Sequence, residues 1–259
     1  MDPLINGSIK GESITERTVE EYGTLVNLAQ HAVFIDCISG FFSIAVQAIK
    51  KESVIGIDAK VVHIGHNYEV ILLSISIQTH VYQFDILTLG MAAFDNGLRS
   101  ILESKIQKVI HNSRLLSGCL HHKYSVKLDN VFDTQVGEMI IEKNLCGEFP
   151  QYVCSLKECI KIFLGVPLDI VQFNKDDTLM WIKRPLSQSL KFTAAQNAVF
   201  LVPLQKCIKT KMFSSLMQGI NIFLKTVRDA EDEEAIQHLG RNYLVPQEFL
   251  QLEYAGTHL

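Results

Sequence analysis

The pattern of hydrophobic and polar residues divides the chain into a strand-rich first half and a helical second half. Runs with the length and apolar content of β-strands occur at residues 32–36, 53–57, 70–77, 81–86, 108–110 and 131–132. The polar residues 78–80 separate two of these runs and predict a hairpin turn. The run 53–57 is apolar and β-branched almost throughout, which predicts a central strand that is covered on both faces.

Apolar residues at helical spacing predict helices between and after these strands, at 39–50, 98–105, 116–120, 155–165, 187–204 and 212–228. Ser155 and Glu158 have the spacing of a capping box, and Gly165 predicts the end of that helix. Pro203 lacks a backbone donor and predicts a break near the end of helix 187–204. This order predicts an α/β domain with a mainly helical C-terminal half.

The boundaries of the domain follow from the same pattern. We predict a flexible leader over residues 1–25, the folded domain over 31–225, and a helix end and tail over 226–259. The chain of 259 residues is 47% hydrophobic and 20% charged, which are values of a globular protein. It lacks both an apolar run of about 18 residues and the apolar core of a secretory signal, so we expect a cytoplasmic protein without a membrane span.

The net charge of −4 means that any affinity for nucleic acid depends on a local basic patch. The cysteines do not have the spacing of zinc ligands, and we predict no bound metal or cofactor.

Several short motifs follow one another in a specific order: Ile55-Gly56-Ile57-Asp58, His111-Asn112-x-Arg114, Phe132-Asp133-Thr134-Gln135, Trp181-x-x-Arg184-Pro185-Leu186 and Ala194-Ala195-x-Asn197. In this order and spacing they resemble the RNase D and Werner-type branch of the DEDD 3′–5′ exonucleases, over about residues 31–225. The resemblance implies a ribonuclease H-like fold, in which helices flank a mixed sheet.

Within that branch, residues 127–135 are similar to the exonuclease-domain-containing proteins that are linked to germline PIWI-interacting RNA pathways. That resemblance implies contact with RNA, which we expect to be single-stranded, in transposon silencing. It also implies self-association as a homodimer and partners among the scaffold proteins of the PIWI pathway.

The resemblance also implies four metal-binding carboxylates, of which only Asp58 is present. Lys60 stands in place of a glutamate, Asn112 and Asn197 stand in place of aspartates, and Thr193 stands in place of a tyrosine. The two divalent cations of such nucleases need anionic oxygen ligands. The replacements change the formal charge of the site from about −4 to about 0, so we predict that catalysis is lost.

Lys60 is the decisive replacement because it lies two residues after Asp58 on one strand and therefore shares its face. An ammonium about 4 Å from a dication is repelled by on the order of several kcal/mol, even at an effective dielectric constant of about 20. Other acids that could repair the site are Glu69, Asp85 and Asp133. We expect Asp133 to cap the following helix instead.

The same replacement favours nucleic-acid binding, because the Lys60 ammonium can take the place of a cation against a phosphate. Further candidate RNA-binding residues are Arg114, His121, His122, Lys123, Lys127, Lys206, Lys209 and Lys211. Apolar residues of helix 212–228, among them Phe213, Leu216 and Ile220, predict either a homodimer contact or packing within the chain.

Three functions remain open from the sequence. The first is a catalytically inactive exonuclease-like protein that acts as an RNA-binding adaptor. The second is a residual metal-dependent 3′–5′ exoribonuclease. The third is a protein-interaction scaffold without affinity for nucleic acid, which the acidic isoelectric point favours and the basic clusters oppose.

Overall fold

The mixed sheet has six strands in the order β1-β4-β3-β2-β5-β6. The computed structural model describes residues 16–64, 67–166 and 179–226, with shorter pieces at 228–229, 231, 233 and 245–250. The strands are β1 (Val33–Ile35), β2 (Val54–Ile64), β3 (Asn67–Ser76), β4 (Val81–Phe84), β5 (Gln107–Ile110) and β6 (Val131–Asp133). The β2/β3 and β3/β4 pairs are antiparallel, and the other neighbours are parallel.

Helices flank this sheet and dominate the chain after β6. They are α1 (Glu16–Gln30), α2 (Gly40–Ile49), α3 (Ile86–Leu89), α4 (Met91–Ala93), α5 (Arg99–Leu102), α6 (Ser113–Tyr124), α7 (Thr134–Cys146), α8 (Leu156–Leu164), α9 (Leu179–Ile182), α10 (Gln188–Val199), α11 (Leu201–Thr226) and α12 (Gln247–Leu250). A π-type turn over Phe94–Leu98 separates α4 from α5. The predicted α/β architecture with a helical C-terminal half is confirmed.

The alternation of side chains along β2 separates the core from the candidate site. Ile55 and Ile57 are fully buried among residues of α2, α5 and the neighbouring strands. Gly56 and Asp58 point to the opposite face, which α10 covers. The central position of β2, predicted from its apolar run, is confirmed, and it places Asp58 where a helix from the second half of the chain reaches it.

A close approach of α10 to β2 depends on Gly56. A Cβ atom at this position would lie 2.5 Å from the backbone oxygen of Ala198 and 2.5 Å from the hydroxyl of Ser76. That hydroxyl donates a hydrogen bond of 2.7 Å to the same Ala198 oxygen. Gly56 therefore lets the end of α10 rest directly on the strand that carries Asp58.

The helix break that was predicted from Pro203 occurs three residues before this proline. α10 ends at Val199 and α11 begins at Leu201, so Pro203 falls in the first turn of α11. A proline costs little there, because the first backbone N–H groups of a helix have no partner inside it. Consequently α11 runs unbroken over 26 residues, and the predicted start at residue 212 is wrong.

Residues 16–25 are helical instead of belonging to a flexible leader. They form most of α1, whose apolar face packs against α10 and the start of α11. Tyr22 donates a hydrogen bond of 2.9 Å to the backbone oxygen of Leu164, and Ala29 is buried. The rest of the predicted leader and most of the predicted tail lie outside the described residues.

The capping box of α8 is confirmed, with reciprocal hydrogen bonds between Ser155 and Glu158. Gly165 ends this helix in the left-handed conformation, with a φ of 69°. In the parts of the chain that the structure describes, no helix is both long and apolar enough to cross a membrane.

Candidate functional site

The ammonium of Lys60 is paired with the carboxylate of Asp58, with Nζ 2.8 Å from Oδ2. Both side chains are largely buried, with 18% of Lys60 and 14% of Asp58 exposed. The ring of Trp181 lies on the other side of the ammonium, with its centroid 5.2 Å from Nζ.

The amide of Asn197 approaches the second carboxylate oxygen. Its Nδ2 atom donates to Oδ1 of Asp58 over 3.3 Å, and Asn197 directly precedes Ala198, whose backbone oxygen approaches Gly56. Each oxygen of Asp58 therefore faces a nitrogen of another side chain, the ammonium of Lys60 or the amide of Asn197.

Asn112 and Thr193 make contacts away from Asp58. Asn112 precedes α6 with a φ of 60°, and its Oδ1 atom accepts a hydrogen bond of 2.9 Å from Nε of Arg114. Thr193 is buried, and its hydroxyl donates to the backbone oxygen of Ser189 one turn earlier in α10. Neither side chain adds an anionic ligand to the site.

Asp133 caps α7 as predicted and also accepts hydrogen bonds from the start of α6. Its carboxylate accepts hydrogen bonds from the backbone N–H groups of Gln135, Asn112 and Ser113 and from the Ser113 hydroxyl. Burial by itself raises the pKa of Asp133, but these hydrogen bonds outweigh burial and hold the pKa below its ordinary value. The carboxylate is therefore occupied by backbone donors.

The other two acids that could repair the site are engaged as well. Asp85 is 1% exposed and accepts hydrogen bonds of 2.7 and 2.5 Å from Nε and Nη2 of Arg184. Glu69 forms an ion pair with Lys123. Among the residues that the structure describes, no group of three or more His, Cys, Asp or Glu side chains is arranged to hold a metal ion.

The cleft beside Asp58 has a volume of about 370 Å³ and a wall of both polar and apolar side chains. Leu115 and Leu116, on the first turn of α6, form part of that wall, together with Leu156. The helical spacing of Leu116 predicted only that it lies in a helix, so its position in the cleft was not predicted. Apolar side chains give a divalent cation no ligand.

His111 also lines the cleft and is engaged through both of its ring nitrogens. Its ring nitrogens lie 2.9 Å from the hydroxyl of Thr134 and 3.0 Å from the backbone oxygen of Cys154. Burial lowers the pKa of this imidazole from its ordinary value. The donor set of one paired carboxylate, amides and apolar side chains does not fit the two divalent cations of an exonuclease site.

Three of the predicted RNA-binding residues meet in one groove. Arg114, His122 and Lys123 line a hollow of about 670 Å³ on the outer side of α6. His121 and Lys127 do not line it. Tyr68 also lines this groove, and the sequence did not identify it because an aromatic residue in a strand is typical of any sheet.

The lysines of α11 do not form a common patch. Lys209 donates to the Gln107 side chain over 2.9 Å, and its ammonium lies over the Phe132 ring. Lys211 lies over the ring of Phe163 on α8, whereas Lys206 faces the hollow between α1 and α11. Because these side chains point to different neighbours, they are weaker candidates than the groove on α6.

Comparison with known proteins agrees with this architecture. Residues 37–212 match the family described as 3′-5′ exonuclease. The chain therefore belongs to the 3′–5′ exonuclease family.

Within that family it is similar to piRNA biogenesis protein EXD1. The silkworm protein (Bombyx mori) is 34% identical over 218 residues, which cover 84% of this chain and 69% of the relative. The human protein is 33% identical over 221 residues, which cover 82% of this chain and 43% of the relative. The chain thus spans about two thirds of the silkworm protein and less than half of the human one.

Solved structures confirm the fold. RNase D from Trypanosoma brucei, in complex with RNA U12, superimposes with a TM-score of 0.59 at 18% identity, covering 71% of this chain and 65% of that chain. The EXO domain of Nibbler from Aedes aegypti gives a TM-score of 0.56 at 17% identity, covering 72% and 90%. The predicted RNase D-like exonuclease fold is therefore confirmed.

Proposed function

We propose that this protein is an exonuclease-like adaptor that binds RNA without cleaving it. The observation that carries the proposal is the ion pair between Lys60 and Asp58, in which an ammonium lies 2.8 Å from the remaining carboxylate. A dication that entered the site would have to displace this ammonium from a partner that is largely buried with it. Repulsion between the two cations about 4 Å apart amounts to on the order of several kcal/mol.

The same arrangement allows a phosphate to bind in the cleft. A cluster of four carboxylates repels nucleic acid unless metal ions neutralise it, whereas the pair of Asp58 and Lys60 is neutral without them. An ammonium carries three donors, and its contact with Asp58 leaves donors that can reach a phosphate oxygen. RNA binding in this cleft therefore needs no divalent cation.

The pathway follows from the relatives. Relatives that are named for piRNA biogenesis support a role of this protein in that process. We further propose that it acts in the cytoplasm, with single-stranded RNA and PIWI-pathway scaffold proteins as partners. An adaptor in such a pathway holds RNA near other enzymes and does not shorten it.

An exposed apolar face on α11 supports a homodimer. Its large side chains recur at positions three and four apart, at Phe213, Leu216, Met217, Ile220, Phe223 and Leu224, and each is at least 41% exposed. That spacing is typical of helices that pack against each other. A second copy of α11 would cover this face.

The decisive experiment measures degradation of a labelled single-stranded RNA with Mg²⁺ or Mn²⁺. We expect no shortening by the wild type, but binding of the same RNA in EDTA. Metal-dependent shortening that disappears in Asp58→Ala would falsify the proposal and support the residual exoribonuclease. The absence of RNA binding at low salt would instead support the protein-interaction scaffold.

A reversion tests whether the replacements themselves abolish activity. The triple variant Lys60→Glu, Asn112→Asp and Asn197→Asp restores the acids that the family resemblance implies. Activity in this variant and none in the parent supports the loss of hydrolysis through charge. Equal activity in both contradicts it.

A further inference from the structure

A second hollow adjoins the cleft on the outer side of α6. It is lined by Tyr68, Arg114, Leu115, Gly118, Cys119, His122 and Lys123, and we call it the α6 groove. Leu115 lines both hollows, so a ligand in the cleft can continue into the groove. The groove has a volume of about 670 Å³, which lies in the usual range of small-molecule sites and can accommodate a nucleotide.

The ring of Tyr68 is held in place while half of the residue stays open to solvent. Tyr68 faces His63 across β2 and β3, and the two rings meet edge to face with centroids 5.0 Å apart. The thiol of Cys119 donates to the backbone oxygen of Tyr68 over 3.1 Å and thereby ties β3 to α6. Tyr68 is nevertheless 51% exposed, so its ring can stack with a base.

The guanidinium of Arg114 is oriented by two amides at the boundary between cleft and groove. Its Nε donates to Oδ1 of Asn112 over 2.9 Å, and its Nη2 donates to Oε1 of Gln135 over 3.3 Å. The Gln135 amide is itself fixed, because its Nε2 donates to the backbone oxygen of Cys154. Among the described residues, no acceptor hydrogen-bonds to Nη1, which leaves that side of the planar fork open to a phosphate.

The neutrality of Asn112 matters to this arrangement. An amide oxygen orients the guanidinium but leaves its positive charge uncompensated, whereas a carboxylate at the same place would neutralise it. The replaced position of the second motif thus supports a cation instead of a metal ligand.

The other groove residues fit the same type of ligand. Lys123 contributes an ammonium that is shared with Glu69, and His122 lies one residue before it. Nothing lies within 4 Å of the Cβ position of Gly118, so the groove stays open at that point. An aromatic ring beside cationic side chains is the usual platform for single-stranded nucleic acid.

We propose that the α6 groove binds one nucleotide of a single-stranded RNA, with its base on Tyr68 and its phosphate on Arg114, and that Asn112 positions Arg114 for this contact. This site rests on the proposed RNA-binding function. It identifies the α6 groove as the place where the RNA leaves the cleft.

The test is fluorescence anisotropy with a fluorescein-labelled oligouridine of twelve nucleotides, at several KCl concentrations in EDTA. We expect Tyr68→Ala to weaken binding by about 5- to 100-fold with little change in its salt dependence, and Tyr68→Trp to retain affinity. Arg114→Gln should weaken binding about tenfold and reduce the slope of log affinity against log salt by about 0.7. Lys105→Gln, a fully charged exposed residue outside the groove, is the matched control for charge.

A double-mutant cycle tests the positioning role. Asn112→Ala should weaken binding several-fold in the wild type and have no effect in the Arg114→Gln background. Equal effects of Asn112→Ala in both backgrounds contradict positioning. Thermal unfolding of each variant excludes loss of the fold as the cause.

The outcomes separate the two proposals. If the wild type does not bind the RNA, the adaptor function fails and the groove site with it. If the wild type binds while Tyr68→Ala and Arg114→Gln bind equally well, only the groove is refuted. If a labelled twelve-residue polyglutamate peptide binds and is weakened equally by both variants, the groove is a site for acidic peptides and the RNA assignment is wrong.

Discussion

Arg184 clamps α9 to the end of β4 through the buried carboxylate of Asp85. Nε and Nη2 of Arg184 bind the two carboxylate oxygens, while Nη1 donates to the backbone oxygen of Trp181 over 2.7 Å. Because Trp181 lies over the Lys60 ammonium, this clamp places the ring that faces the ion pair of the cleft. Arg184 thus has a structural role, through a bidentate contact that fixes its position.

We therefore predict that Asp85→Ala lowers the free energy of unfolding by about 3–5 kcal/mol, because it leaves a partly buried guanidinium without its partner. Urea unfolding followed by tryptophan fluorescence measures this, since Trp181 is the single tryptophan of the chain. The native emission should also shift to longer wavelength as the ring loosens.

The control is the exposed ion pair of Lys105 and Asp129, which has a similar length of 2.8 Å. Asp129→Ala should cost much less than Asp85→Ala, because water screens exposed pairs. A comparable loss in both variants would contradict the clamp.

Gly56→Ala should destabilise the protein by about 1–3 kcal/mol, since the new methyl group meets the backbone oxygen of Ala198 and α10 must move. Chemical unfolding measures the loss. Gly23→Ala in α1 is the matched control, because no atom lies within 4 Å of its Cβ position, and it should be stabilising by about 0.5–1 kcal/mol. A neutral Gly56→Ala would show that α10 does not depend on this close approach.

Lys108 makes the free energy of unfolding depend on pH in the alkaline range. Its side chain is fully buried in β5, and burial lowers the pKa of Lys108 to about 8. Between about pH 8 and 10.5 the unfolded chain binds more protons at this residue than the folded one, so its contribution to stability rises with pH. Relative to Lys108→Met, we expect the wild type to gain on the order of 2 kcal/mol across this window.

Unfolding of both proteins in urea at a series of pH values measures this difference, and the comparison removes the titration of other groups. A difference that stays constant with pH, or that falls as pH rises, would show that the Lys108 ammonium is not penalised in the fold.

Manganese should distinguish the natural cleft from the reverted one. We expect 5 mM MnCl₂ to leave the melting temperature of the wild type unchanged and to raise that of the triple reversion by several degrees. Binding at 100 times the dissociation constant adds about 2.7 kcal/mol to stability. The readout does not depend on activity, and a wild type that is stabilised as strongly as the reversion would refute the exclusion of metal by Lys60.

The apolar face of α11 should control the oligomeric state. Leu216→Glu with Ile220→Glu places charges in the middle of this face, and light scattering should report a mass near the 29.2 kDa of one chain instead of about twice that value. Phe41→Glu, at another exposed apolar residue, should leave the dimer intact. A dimer that survives the double substitution must use a different surface.

Local patterns predicted much of the architecture because their physical cause is local. The apolar run before Asp58 identified the central strand, and the spacing of Ser155 and Glu158 identified the start of α8. Asp133 behaves as the predicted cap, because a carboxylate at the end of a strand meets the free N–H groups of the next helix. The position of Pro203 misled the prediction, since the cost of a proline depends on where the helix begins.

By itself, the sequence determined the strands and most of the helices, because hydrophobic periodicity is a property of neighbours along the chain. Only the tertiary structure decided that Asn112 orients Arg114 and that Tyr68 lines the groove beside α6. It also decided that the lysines of α11 contact different neighbours. These contacts depend on how helices and strands that are distant in sequence approach one another. A side chain has a binding role only when packing sets its direction and its partners.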